Sequence, residues 1–175
     1  MSMNFQPDYY HGDNRVVRAI LNGWSISPII KARSGRPFTV TNGNVDANLD
    51  GNTNDRAQVI GDPHLDDPTA DRWFNIFAFQ RNVAVPGVIT NGNSPRNFLT
   101  GPGYQSVDLG LSRDFRFGET WKLRFRVEGT NIFNHPNLDQ PNASAPANIA
   151  SPGDFGRIRT AGPMRKIQFG LRLTF

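Results

Sequence analysis

The sequence predicts an all-β protein, an antiparallel transmembrane β-barrel segment of about four spanning strands with long external loops. Three features point there. The strongest alternation of apolar and polar residues with period two lies within residues 101–175; the connections between the alternating runs are very long, very short and long in turn; and the composition works against helices. Seventeen Gly, thirteen Pro and eighteen Asn favour turns, while thirteen Phe supply bulk for pleated faces.

Each strand rests on its own residues. The first and weakest run covers Gly23 to Ser34, with Trp24, Ile26, Ile30 and Ala32 on one face and Ser25, Ser27, Lys31 and Arg33 on the other. Ile29 spoils that split, and Pro28, which has no N–H to donate, assigns the run to an edge, a bulge or a distorted strand. The second runs from about Gln105 to Phe117, where Val107, Leu109, Leu111, Phe115 and Phe117 share a face interrupted by Arg113, opposite Asp108, Gly110, Ser112, Asp114 and Arg116. Phe117-Gly118-Glu119-Thr120 reads as a tight hairpin into the third strand. There Trp121, Leu123, Phe125 and Val127 alternate with Lys122, Arg124, Arg126 and Glu128. In the last, Ile167, Phe169, Leu171, Leu173 and Phe175 stand against Gln168, Gly170, Arg172 and Thr174.

A strand crosses the hydrocarbon with about 9–11 tilted residues, an oily face toward lipid and a polar face toward the lumen. If the C-terminus lies on the inner side, residues 163–175 descend, 120–133 ascend, 104–116 descend and 23–34 ascend. The Gly118 turn then falls inside and the long stretches 42–102 and 134–157 fall outside. Trp24, Phe115, Phe117, Trp121 and Phe175 form an aromatic girdle at the inner interface on this map. A soluble β-sandwich or small barrel alternates in the same way, so period two alone does not separate the two. Strand length, loop length and the terminal Phe favour the membrane.

Charge and composition exclude several functions. The net charge of +4 arises wholly in residues 101–175, while residues 42–71 hold seven Asp and only Arg56. The basic residues near the C-terminus alternate singly with apolar ones, as on a strand with one charged face; no basic helix or Lys/Arg block marks a nucleic-acid binder. Without Cys, disulfide scaffolds, Cys-ligated zinc, iron–sulfur clusters and thiol catalysis are out. No run approaches the roughly 20 apolar residues of a membrane helix, and Met1 to Asp8 lack the basic and apolar parts of a secretory signal.

Gln168-Phe169-Gly170-Leu171-Arg172-Leu173-Thr174-Phe175 resembles the C-terminal signal of outer-membrane barrels, with Phe169, Leu171, Leu173 and Phe175 as its apolar positions. An ordered set of segments resembles the C-terminal part of TonB-dependent receptors of the Oar-like, carboxypeptidase-regulatory-domain-bearing type. It comprises Gly23-Trp24-Ser25-Ile26-Ser27, Ser34-Gly35-Arg36-Pro37-Phe38-Thr39-Val40, Trp73-Phe74-Asn75 with Ala78-Phe79, Arg96-Asn97-Phe98-Leu99-Thr100-Gly101-Pro102-Gly103, Val107-Asp108-Leu109-Gly110-Leu111, Arg126-Val127-Glu128 with Asn131-Ile132-Phe133-Asn134-His135-Pro136-Asn137, and Phe155-Gly156-Arg157-Ile158. The resemblance implies a parent barrel of about 22 strands, with residues 1–22 as a periplasmic lead-in and 23–175 as the C-terminal part of the barrel. It implies a bacterial outer-membrane location and, as partners, outer-membrane lipid, the remaining barrel and plug, and the barrel assembly machinery. TonB would be reached only through N-terminal parts, and no nucleic acid is expected. By resemblance and parity, Asp108, Arg124, Arg126, Glu128 and Arg172 face the lumen. The other reading is a soluble extracellular β-domain binding carbohydrate or another ligand through an Asp/Asn-rich loop.

Few residues carry chemistry of their own. Asp46, Asn48, Asp50 and Asn52, with Gly51 at the sixth place, fit the first half of a calcium loop, but Ala57 stands where the bidentate Glu belongs. The same residues make turns without any ion, so calcium and an Asx-rich loop remain alternatives. Trp73, Phe74, Phe77 and Phe79 form an apolar island that either builds a small loop core or meets an external partner. His11, His64 and His135 lack metal-ligand spacing, Asn142-Ala143-Ser144 matches a short glycosylation sequon, and no residues pair as nucleophile and base. A non-enzymatic protein without a cofactor is expected.

Overall fold

The computed structural model describes residues 10–53, 55–82, 91–141 and 146–175. The start of the lead-in, Asn54 of the oxygen-rich loop and the Asn142-Ala143-Ser144 sequon lie outside the described residues. In chain order the elements are helix α1 (Arg15–Leu21), strands β1 (Trp24–Arg33), β2 (Pro37–Phe38) and β3 (Gln58–Val59), a 3-10 turn at Ile76–Ala78, then β4 (Phe79–Gln80), β5 (Leu99–Thr100), β6 (Tyr104–Phe117), β7 (Trp121–Thr130) and β8 (Lys166–Thr174). They form two compact units, one holding α1, β1, β7, β8 and nearly all of β6, the other built from residues 34–104 and 137–162.

The first unit is a four-stranded sheet in the order β1-β6-β7-β8. Pro28 therefore sits on an outer strand, where a missing N–H costs least. Contacts between β1 and β6 run antiparallel: the Arg113 guanidinium lies over the Trp24 ring, Gly110 lies against Ser27, and Lys31 reaches Asp108. Across β6, β7 and β8 the register stacks like on like. Leu111, Val127 and Phe169 form one row, Arg113, Phe125 and Leu171 the next, then Phe115, Leu123 and Leu173. The intervening rows place Ser112, Arg126 and Gly170 together, then Asp114, Arg124 and Arg172.

Phe117 pairs with Trp121 across the hairpin, where Gly118 takes φ +65°, a conformation a side chain resists. Trp121 in turn stacks on Phe175 with ring centroids 5.5 Å apart. These aromatics and Phe115 gather at the hairpin end of the oily face, with Trp24 meeting Phe125 edge-on at 6.2 Å. Arg113, the one charge on this face of β6, is buried between the rings of Trp24 and Phe115, which lie 5.5 and 4.7 Å from its guanidinium carbon. Elsewhere the face is open: on β8, Phe169 is 70% and Leu171 71% exposed, while Leu123, Phe125 and Val127 are half-buried.

α1 lies in the stretch expected to be a simple lead-in. The Asn14 side-chain oxygen accepts from the N–H groups of Val16 and Val17, an N-cap that starts the helix. Asn22 ties its end back to Tyr10 through bonds of 2.9 and 2.8 Å.

The second unit shows that the two long connections are not loose loops. Phe38, Val40, Ala57, Phe74, Ala78, Phe79, Leu99, Ala147 and Phe155 form one buried cluster drawn from both. β2 pairs with β5 and β3 with β4, each over two residues. Phe74 is 2% exposed and meets Phe38, Phe79 and Phe155 with centroid distances of 5.2 to 5.8 Å. Thr41 is bridged to Arg56 within the first connection and to Asn148 from the second.

Candidate functional site: the polar face of the sheet

Period two delivers every second residue of each strand to the face opposite the oily one, and the register decides which of them meet. Asp114 lies between Arg124 and Lys122. It accepts from Arg124 Nε at 2.7 Å and Nη2 at 2.9 Å, and Lys122 Nζ stands 2.8 Å away. Asp108 is a junction of three segments: one oxygen takes Lys31 Nζ at 2.6 Å, the other takes Ser106 Oγ at 3.0 Å and the Asn131 N–H at 2.9 Å. The Arg126 guanidinium donates to the Glu128 carboxylate. Between these pairs the face is concave. A groove of about 520 Å³ is lined by Ser27, Ser112, Thr130, Lys166 and Gln168 among others.

The residues singled out from sequence as lumen-facing, Asp108, Arg124, Arg126, Glu128 and Arg172, thus all stand on this one face. Parity also assigns Asp114, Arg116 and Lys122 to it, but parity does not say which carboxylate meets which cation. That needs the register. Alternation likewise places Lys31 on the polar side of its strand despite Ile29, but its partner Asp108 is set by the pairing of the strands.

The oxygen-rich loop stands elsewhere, in the second unit. Its side chains are engaged with the backbone. Asp46 accepts from the N–H groups of Asp50 and Gly51, Asn48 from that of Asp50, and Asp50 from that of Asn52. Buried Asp55 accepts from the N–H groups of Ala47 and Asn48 at 2.6 and 3.1 Å. Among the described residues no three His, Cys, Asp or Glu side chains gather as metal ligands.

Of the aromatic island, Phe74 and Phe79 are in the core of the second unit and Trp73 packs against it, its indole N–H donating to the Thr100 carbonyl at 2.9 Å. Phe77 points outward, 81% exposed. Beside Trp73, Phe98 and Pro63 lies a small hollow of about 170 Å³. At its rim the His64 N–H and ring hold the Asp62 carboxyl below the usual carboxylate range.

A sheet of membrane-crossing length, with one open aliphatic and aromatic face and one ion-paired face, is a section of barrel wall. Residues 1–168 match the family described as outer membrane beta barrel domain, and the chain belongs to that family, which places it in the bacterial outer membrane. No curated protein and no solved structure matches the chain.

Proposed function

We propose that this chain is the C-terminal barrel segment of a TonB-dependent receptor, supplying wall, external loops and an assembly signal to substrate uptake and performing no catalysis itself. The two-faced sheet carries the reading, together with the ordered segments that resemble such receptors. Four strands leave β1 and β8 as outer edges, whereas the smallest barrels have about 8 strands, so strands from the rest of the receptor would complete the wall. In that setting the oily face meets outer-membrane lipid and the polar face meets the lumen and plug. The assembly machinery reads the end at Phe169, Leu171, Leu173 and Phe175. TonB engages N-terminal parts of the receptor, not these residues.

The test is an immunoblot of cell fractions from the source bacterium with an antibody to residues 105–175. A heat-modifiable outer-membrane species far heavier than 19.5 kDa that cross-links to TonB is expected. A heat-modifiable species of the chain's own mass, without TonB contact, overturns the receptor reading, and a soluble periplasmic species overturns the wall as well.

A further inference from the structure

We propose that the small hollow in the second unit is a binding site for a small molecule carrying a phenolic ring. The site lies wholly within that unit, so it does not rest on the sheet being receptor wall. Its lining takes buried Phe38, Phe74 and Leu99 together with half-buried Trp73, Phe98 and Leu65, and His64 stands on its rim. Four separate segments meet there, and each is pinned. Phe38 pairs with Leu99 across β2 and β5, and the Trp73 indole N–H donates to the Thr100 carbonyl at 2.9 Å. Asn75 holds the turn before His64, donating its N–H to the Pro63 carbonyl at 2.9 Å and its side-chain amide to the Asp62 carbonyl at 3.0 Å. The hollow is therefore formed in advance, which spares binding the cost of ordering its walls.

Size and lining together set the ligand. A volume of about 170 Å³ is below the roughly 300–1,000 Å³ of drug-sized sites and near the ~150 Å³ of an apolar cavity that accepts benzene. It holds one six-membered ring. Four aromatic side chains, Phe38, Trp73, Phe74 and Phe98, favour a flat ring that can stack on a face or meet an edge, and covering half-buried Trp73 and Phe98 removes apolar surface from water. Trp73 offers only carbon surface, because its N–H is already given to Thr100. The polar requirement comes from His64. The Asp62 carboxylate lies 2.8 Å from its Nδ1 and holds the proton there, so the neutral imidazole keeps Nε2 as an acceptor. A hydroxyl on the ring is the matching donor. A sugar ring brings more hydroxyls than the lining can meet: among the described lining residues only His64 and Thr100 add polar side chains to Trp73, and each hydroxyl stripped of water without a partner costs binding.

The test uses the full chain, isotope-labelled and folded in zwitterionic micelles, titrated in turn with phenol, with anisole, which lacks the hydroxyl proton, and with glucose. Phenol should move the Trp73 indole N–H resonance saturably, while those of Trp24 and Trp121, in the other unit, follow only the linear drift of uptake by the micelle. Phenol should bind about three- to tenfold more tightly than anisole, the worth of one hydrogen bond. His64→Phe should erase that margin while keeping a ring on the rim. Leu65→Trp, which fills the hollow, should abolish phenol binding and gives the comparison if His64→Phe disturbs the turn. Parallel movement of all three indole resonances, equal affinity for phenol and anisole in the unaltered chain, a margin that survives His64→Phe, undiminished phenol binding in Leu65→Trp, or tighter binding of glucose than of phenol would each overturn the proposal.

Discussion

Asp114 and Arg124 face each other across the β6–β7 pair and are joined by two parallel hydrogen bonds, a fork-to-carboxylate contact that fixes side-chain angle as well as distance. Lys122 closes on the same carboxylate, and Arg172 follows in the same row on β8. Removing the carboxylate leaves a cluster of cations. Asp114→Asn should lower the stability of the micelle-folded chain by about 1 kcal/mol, the upper range for half-exposed pairs. The urea midpoint reads it, and a cycle with Arg124→Met should recover most of the loss if the pair itself is responsible.

The two faces of β8 should respond oppositely to the same change. Leu171→Arg places a charge on the open oily face and should weaken folding in micelles or liposomes by about 2–4 kcal/mol. Gln168→Arg, on the polar face, should stay within about 0.5 kcal/mol. Equal losses at both positions in a liposome-folding titration would count against lipid contact on the oily face.

In the second unit, Phe74→Ala should cost about 3–5 kcal/mol, because it empties the centre of an aromatic cluster. Phe77→Ala, three residues on, should change stability by less than about 0.5 kcal/mol. Limited proteolysis of residues 34–104 under increasing denaturant ranks the two.

Asp55→Ala removes a buried acceptor shared by two backbone N–H groups and should cost about 1–3 kcal/mol. Hydrogen exchange at Ala47 and Asn48 should accelerate in the variant, while exchange in β7 stays as it was.

The long strands were legible because alternation over nine or more residues is a strong local signal, and Pro28 marked its strand as an outer one for a local reason, the missing donor. The end of the oily face was equally legible, since Trp121 and Phe175 share a parity. What escaped is non-local. Phe38, Ala57, Phe74, Leu99, Ala147 and Phe155 meet from separate stretches with no period to link them, and two-residue strands leave no pattern at all. α1 escaped for its shortness, although Asn14 followed by Val16 and Val17 was a visible start signal. For the island at 73–79, sequence offered a core or a contact surface; geometry takes Phe74 and Phe79 inward and leaves Phe77 out. On the polar face the members were readable by parity and the partnerships were not.

Residues 146–158 are stitched into the first connection: Thr41 donates its N–H to the Ala147 carbonyl and accepts from Ile149, the Trp73 N–H reaches the Gly156 carbonyl, and Phe155 fills the cluster around Phe74. The two segments are therefore a single inheritable cassette. A chimera that transplants either one onto another scaffold alone exposes half of a shared interior, whereas a graft carrying residues 34–104 and 137–162 together keeps every internal partner. Length changes tolerated in one segment are likewise limited by the other, and free variation belongs at outward positions such as Phe77.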